Sequence, residues 1–405
     1  MINKLLGKGL DVESTKKLDH KKAIVKLLID NENTIPEICQ HLQLSVPTGT
    51  KLIQELLDGG ILHNLGKKDD AITSGGRRPK LYGVNTKDYF IIGVDIQLQE
   101  INIAILNMKN ELVKKTRYTS YNLQNSKECL QTTISIIADE IKAFDIDNNN
   151  ILGMGVGITG RVKIATGDSY NFLHIDNKPL SHHFKESFDC PVYVENDTMI
   201  MTLGEQSFGL GQQLRNFVFV NLSKGLGLGI ISEGTLHTGK SGYAGEFGHT
   251  HFFDNNRLCI CGKKGCLGTE VSGHGMEEIF YEKIQKGEQS KLNPADFKKR
   301  INYHQIVNAA IEGDMTCMEI IQDLGFNLGK SLAGIINLLN PEAIILGGTC
   351  AEAGDVLKHS IQSGLQRFAL PMPLKDCQII ISELGAKASL IGAGRLVLNE
   401  ILNNG

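Results

Sequence analysis

The 405-residue sequence has no run of eighteen or more apolar residues, so no segment is long enough to span a bilayer as a helix. Its first twenty residues, MINKLLGKGLDVESTKKLDH, hold no apolar block of the length a secretory signal requires. Regular cysteine spacing is also missing. Nine cysteines is an odd number, and Cys39, Cys129, Cys190, Cys317, Cys350 and Cys377 are scattered without pattern. Free thiols in a reducing cytoplasm are therefore expected, not a disulfide framework. Nor is there a strong net charge: −3 with 41% hydrophobic residues describes an ordinary soluble chain, long enough for more than one domain.

What charge there is lies unevenly. Up to Asn85 there are 13 Lys+Arg against 10 Asp+Glu, and the remainder holds 29 against 35. A mildly basic head on an acidic body is a weak pointer to a nucleic-acid partner for the head.

Helical periodicity opens the head. In KKAIVKLLID, Ile24, Val25, Leu27, Leu28 and Ile29 make one apolar face. Thr34 and Glu37 in NTIPEICQHLQL have the spacing of a capping box, and Ile35, Ile38, Cys39 and Leu42 form a stripe behind it. A break at Gln43–Leu44 leads to SVPTGTKLIQELLDGG, with Ser45 as N-cap, Leu52, Ile53, Leu56 and Leu57 inward, and Gly59–Gly60 as the stop. Three short helices, two of them joined by a tight turn, make a helix-turn-helix.

ILHNL and KLYGVN then read as two strands around the polar loop KKDDAITSGGRRP, the outline of a winged helix. Pro47, Thr48, Thr50 and Lys51 fall on the early exposed part of the second helix of the pair, the part that meets base edges in a major groove. Arg77 and Arg78 at the wing tip are placed to reach phosphates or a narrow minor groove. Small helical heads also mediate protein–protein contacts; the order of helices, turn and basic wing favours DNA.

The body is α/β. YFIIGVDIQLQEINIAILNMKNELVKKTRY reads as three strands with turns near Gln97–Glu100 and Met108–Asn110, and SKECLQTTISIIADEIKAF as an amphipathic helix. ILGMGVGITG and PVYVENDT are further strands, the second followed by a helix through Leu203. A second series begins at FVFVNLSKGLGLGIISEG and continues with helices from about Gly273, Tyr303 and Met315. The strands EAIILGG and CQIIISEL and a last helix from about Lys387 follow. Two successive blocks of strands then helices predict two lobes with a cleft between them. Glycine-rich turns at GVGITG, SKGLGLG and LGGT suggest a phosphate or polyol site, or one inherited from an ancestor.

CICGKKGC supplies Cys259, Cys261 and Cys266, and His249 lies ten residues upstream of the first. One histidine and three cysteines suit tetrahedral zinc (Zn²⁺), with Gly262 and Gly265 permitting the tight bends between ligands. A full protein ligand set leaves no open position for an activated water, so such a metal is structural. A redox pair or plain free thiols are the alternatives, and spacing alone does not choose between His249 and His251.

GYAGEFGH at 242–249, followed ten residues later by CICGKKGC, resembles the signature of the ROK family. That family joins sugar kinases to transcriptional repressors on an actin-like, two-lobed ATPase fold. VENDT around Asp197, SKGLGLGI at 223–230, NPEAIILGG at 340–348 and, more loosely, GVGITGRV at 155–162 extend the likeness, and the head with its GRRP wing is similar to the repressor branch. The resemblance implies a winged helix-turn-helix over 1–85, a first α/β lobe over 88–198 and a second over 199–405 that carries a zinc knuckle at 249–266. It implies sugar contacts from Asn196, Asp197, Glu246 and His249. Asp197 would be the general base in a kinase and vestigial in a regulator. It is also expected to cap the helix it begins. His249 would hold zinc through one ring nitrogen and present the other to the sugar.

Two departures stand beside these matches. The family's kinases follow their first-hairpin aspartate with a Gly-Gly-Thr-type turn that cradles ATP phosphates. Here Asp95 is kept but the turn reads IQLQE, and Gln97 and Leu98 would crowd the phosphates. The family's GCLE reads GCLG, so Gly268 supplies no carboxylate, and Glu270, two residues on, would substitute only through a backbone rearrangement. The expectation is a cytoplasmic, sugar-responsive regulator, a repressor, with structural zinc and without ATP. Its partners would be operator DNA and a carbohydrate or sugar-phosphate effector, in a homodimer or dimer of dimers without membrane insertion. The rival is an ATP-dependent sugar kinase with an appended head.

Overall fold

A computed structural model describes residues 12–67, 79–296 and 300–403. The chain divides into two compact units. The first holds the chain up to Val162, Thr166–Glu195 and the residues from Ala393 onward; the second holds Lys163–Ala165 and Asn196–Gly392. The residues after Gly392, expected in the second lobe, thus group with the first unit.

The first unit begins with helix α1 (Val12–Asp30), strand β1 (Asn33–Thr34), α2 (Ile35–His41), α3 (Val46–Asp58), β2 (Leu62–Lys67) and β3 (Lys80–Val84). The strands form an antiparallel sheet in the order β1-β3-β2. Ile24, Val25, Leu28 and Ile29 of α1, Ile38 of α2 and Leu52, Ile53 and Leu56 of α3 are all buried, while Leu57 is only half-buried. The Thr34–Glu37 capping box forms, with the Thr34 amide donating to Glu37 Oε2 over 2.8 Å. Ser45 caps α3 by accepting from the Thr48 amide at 3.3 Å. Helices α2 and α3 approach closely because residue 49 is glycine: a Cβ there would collide with Cys39 Sγ.

β4 (Phe90–Ile96), β5 (Ile101–Asn107), β6 (Leu112–Tyr118), α4 (Lys127–Ala143), β7 (Ile151–Ile158), β8 (Val162–Lys163), β9 (Asp168–Ser169), α5 (Leu180–Ser187) and β10 (Val192–Asn196) follow. Their main sheet has the order β10-β7-β4-β5-β6, antiparallel from β4 to β6 and parallel between β4 and β7. The near-continuous apolar runs of β4, β5 and β7 fit strands buried on both faces. Ile92, Val94, Ile103, Ile105, Val156 and Ile158 pack with Ile137 and Ile141 of α4 and Phe184 of α5.

The second unit repeats the plan. It contains α6 (Asp197–Phe208), β11 (Phe217–Leu222), β12 (Leu226–Ser232), β13 (Thr235–Leu236), α7 (Gly273–Gln285), α8 (Tyr303–Ile311) and α9 (Met315–Leu339). β14 (Ala343–Gly347), α10 (Asp355–Phe368), α11 (Pro371–Asp376), β15 (Gln378–Ile381) and the start of α12 (Ala388–Asn403) complete it. Sheet order is β13-β12-β11-β14-β15, again a hairpin on one side of a central strand and parallel strands on the other. Among the described residues no helix is long and apolar enough to cross a membrane.

α6 runs five residues past the expected stop at Leu203. Gly204, which looks like a helix end, is a packing glycine: a Cβ there would collide with the Ala388 carbonyl of α12. α12 is itself divided between the units. Its start lies against α6 through Gly392 and the Ile200 carbonyl, and the part in the first unit lies against β7, where Gly155 meets the Ala393 carbonyl.

Candidate functional site

Strand β12 lies between α6 and the loop 242–249, which hold the candidate residues. Its glycines were expected to let backbone approach an anion, but Gly227 and Gly229 instead make room for hydroxyls of α6. A Cβ at either position would collide with Thr198 Oγ1 or Thr202 Oγ1. The loop 242–249 lies along the same strand, with Gly245 tight against the Leu228 carbonyl and Gly248 against that of Leu226. Close backbone approach of this kind excludes side chains, which accounts for the glycines of GYAGEFGH.

Asn196 ends β10 and caps α6: its Oδ1 accepts from the amides of Thr198 at 2.9 Å and Met199 at 3.3 Å. The capping role expected of Asp197 thus belongs to its neighbour, because Asn196 keeps extended dihedrals while Asp197 is already in the helix. Asp197 sits in the first turn, where the helix dipole favours a carboxylate. Its Oδ1 accepts from the Thr198 amide at 2.6 Å. Glu246 is exposed at the entry to the turn 247–249, and its Oε2 lies 3.7 Å from His249 Nε2.

The other face of His249 meets the cysteines. His249 Nδ1 is 3.3 Å from Cys259 Sγ, and Cys261 Sγ is 3.6 Å from Cys266 Sγ. Ligand atoms of His249, Cys259, Cys261 and Cys266 all lie within 4.8 Å of one another. Tetrahedral zinc with Zn–S near 2.3 Å separates its sulfurs by about 3.7 Å, so the four side chains fit such an ion. His251 is exposed, with its ring against Gly265, and is not one of the four. Gly265, at φ 71°, has no space for a Cβ beneath the Phe253 carbonyl. Burial, then the neighbouring Cys261 and Cys259 thiols, push the Cys266 thiol up to about 12. Against burial, the same contacts hold the Cys261 thiol below its ordinary value, and an ion bound here would take the cysteines as thiolates.

The two departures have structural counterparts. Gln97 Nε2 donates to Asp95 Oδ2 at 2.8 Å, and Leu98 packs on the first-unit core while its carbonyl accepts from the Leu123 amide at 2.8 Å. The four-residue turn is closed by Gln97 N–H to the Glu100 carbonyl at 2.9 Å. Both side chains of the turn are thus engaged within the first unit. Gly268 faces the Gly248 carbonyl at 3.1 Å from an ideal Cβ, a tight fit for any side chain. Glu270 accepts from Asn255 Nδ2 at 2.6 Å and pairs with Arg257 Nε at 3.3 Å, so its carboxylate is committed to the knuckle loop.

On the head, Pro47, Thr48, Thr50 and Lys51 are all exposed in the first turns of α3. The Thr50 hydroxyl donates to the Val46 carbonyl at 2.8 Å, and Thr48 shares its hydroxyl hydrogen bond with Ser45 at 2.7 Å. Val46 is 56% exposed on this helix start. Arg77 and Arg78 lie outside the described residues.

Residues 91–400 match the model of the ROK family. The chain belongs to the ROK family. Over 388 residues it is 26% identical to the xylose repressor of Caldicellulosiruptor bescii, covering 95% of this chain and 96% of that protein. It is 31% identical over 319 residues to a glucokinase of Halalkalibacterium halodurans, which covers 77% of this chain and 96% of the kinase. Among solved structures, a ROK family transcriptional regulator described as a homolog of the E. coli MLC protein superposes with a TM-score of 0.79 at 25% identity, covering 95% of this chain and 97% of that one. The ROK likeness fixes the body as the actin-like sugar-kinase fold.

Proposed function

We propose that this ROK protein is a cytoplasmic, sugar-responsive transcriptional repressor. The observation that carries the reading is coverage: the match to a repressor takes in 95% of the chain, head included, whereas the glucokinase match covers 77%. The α1–α3 and β1–β3 head is read as a winged helix that places Pro47, Thr48, Thr50 and Lys51 in a major groove, with Arg77 and Arg78 on the wing. The sugar site is read as Asn196, Asp197, Glu246 and His249.

His249, Cys259, Cys261 and Cys266 would hold a structural zinc ion. Bound there, the ion supplies no chemistry beyond fixing the His249 ring, so that Nε2 faces Glu246. The Gln97 amide on Asp95 and the filled turn support regulation over phosphorylation.

The effector, a carbohydrate or sugar phosphate, acts only through differential affinity for two states of the protein. α12 is the element suited to carry that difference, since it begins in the unit with the sugar residues and ends beside α1 of the head. Paired half-sites would require a homodimer or dimer of dimers.

The test is selection of bound fragments from a random DNA pool by the purified protein, with and without a panel of sugars and sugar phosphates. A paired motif whose enrichment the panel abolishes is the expected result. Enrichment indifferent to the panel removes the sugar from the reading. No enrichment, together with ATP-dependent sugar phosphorylation, would return the kinase.

A further inference from the structure

Four side chains of the second unit form a hydrogen-bond chain that ends on Asp197. The Ser223 hydroxyl donates to Asn221 Oδ1 at 2.8 Å, and Asn221 Nδ2 donates to Thr198 Oγ1 at 3.1 Å. Thr198 Oγ1 in turn donates to Asp197 Oδ1 at 3.3 Å, beside the 2.6 Å bond from the Thr198 amide. The direction follows from Asn221 turning Nδ2 toward Thr198 and Oδ1 toward Ser223. An amide NH₂ can only donate, so Thr198 Oγ1 receives the Asn221 bond and keeps its own proton for the carboxylate. Asn221 and Thr198 are both buried, at 7% and 4% exposure, so water does not compete for these bonds.

The surroundings hold this arrangement in place. Thr198 Oγ1 occupies the space that the missing side chain of Gly227 leaves, and β-branching restricts its χ1. Asn221 sits at the end of β11, paired with Gly227 across the hairpin, so strand register places it opposite the α6 N-terminus. Ser223 lies in the turn that follows, beneath Gly348.

We infer that Thr198, oriented by Asn221, is the positioning residue for the Asp197 carboxylate in the proposed sugar site. The inference rests on that reading of the site for its purpose, and on the hydrogen-bond chain for its geometry. Two donors on Oδ1 fix the plane of the carboxylate and hence the direction in which it accepts a ligand hydroxyl. A carboxylate free to rotate about χ2 would have to be ordered at each binding event, which costs affinity.

The experiment compares the full-length parent with Thr198→Val, which keeps the branched shape and removes the hydroxyl, and Thr198→Ser, which keeps the hydroxyl. Each is crystallised, and each is titrated calorimetrically with D-glucose, D-xylose, N-acetyl-D-glucosamine and glucose 6-phosphate. The Asp197 carboxylate should turn in the Val variant and hold its place in the Ser variant. Whichever probe binds the parent should bind Thr198→Val at least tenfold more weakly and Thr198→Ser within about twofold, in line with a lost bond to a charged group. An Asp197 carboxylate unmoved in Thr198→Val, or equal affinity there, overturns the positioning role. If no probe binds the parent, the sugar reading of the site fails for these probes, and the carboxylate's position in the two variants still decides the positioning claim.

Discussion

Glu32 Oε1 stands 2.8 Å from Lys109 Nζ, joining the turn after α1 to the turn between β5 and β6. Two more polar contacts tie the same end of α1 to α12: Lys26 Nζ lies 3.4 Å from Asn403 Oδ1, and Arg395 Nη1 lies 3.9 Å from Asp30 Oδ1. The joint behind them is built on Asn85, fully buried, whose amide donates to the Ile61 carbonyl at 2.8 Å and whose Nδ2 donates to that of Gly60 at 2.8 Å. The head is therefore docked on its own unit and does not hang from a bare linker.

Reversing the Glu32 charge tests the dock. Glu32→Lys opposes Lys109 and should cost roughly 0.5–1 kcal/mol, the scale of a partly exposed pair. Lys109→Glu in the same chain should restore most of it. Urea unfolding of the four members of the cycle measures the coupling; additive effects would mean that the pair contributes nothing to seating the head.

Metal removal should act on the body. Cys261→Ser, or incubation of the parent with a strong chelator, should lower zinc content and reduce Tm by several degrees, since about 1 kcal/mol moves Tm by roughly 2–4 °C in domains of 150–250 residues. Because an ion bound there would take the cysteines as thiolates, zinc competes with protons for them. Retention should then weaken as pH falls, and metal analysis after dialysis at pH 5 and pH 8 reads it directly. Full stability without metal would discard the structural-zinc reading.

For DNA, Lys51→Ala should relax preference at one base position and, with one cation removed from the groove, also lower the salt slope. Arg77→Ala with Arg78→Ala should flatten the slope further. Thr48→Ala, by contrast, should relax preference at one base position with little change in slope. Fluorescence anisotropy at several salt concentrations separates these outcomes, and an unchanged slope in the arginine pair would remove the wing from the interface.

Much of this was legible in the sequence, and the reasons are local. The Thr34–Glu37 box, the Ser45 cap and the apolar stripes of α1 to α3 depend on neighbours within one or two turns, so spacing alone revealed them. The four metal-type ligands were legible because most of them share one short loop. What spacing could not reveal was long-range packing. Gly204 reads as a stop until α12, nearly two hundred residues later, is laid against it. Gly227 and Gly229 read as anion-binding turns until α6 hydroxyls fill the space above them. Gln97 reads as an obstruction to phosphates, and only the folded hairpin shows its amide on Asp95. Likewise nothing near Asn221 in the chain points to Thr198, twenty-three residues before it.

The N-cap of α9 offers a test of stability against pH. Asp314 is buried at 2% exposure; its Oδ1 accepts from the Cys317 amide at 2.9 Å, and its Oδ2 from the Lys291 amide at 2.6 Å and the Ser290 hydroxyl at 2.8 Å. Burial by itself would raise this carboxyl, but the donors from Cys317, Lys291 and Ser290 outweigh it and hold the group below the ordinary aspartate range. A carboxyl depressed in the folded state adds stability above its unfolded pKa, and that stability is lost as pH falls through the folded value. Asp314→Ala should therefore cost about 2 kcal/mol at pH 7, combining a lost cap with buried donors left unsatisfied. The gap to the parent should narrow toward pH 3, because the parent, and not the variant, is losing this contribution. Urea unfolding of both proteins at the two pH values measures it. A gap of equal size at both would show that the ionised carboxylate adds nothing beyond the shape of the cap.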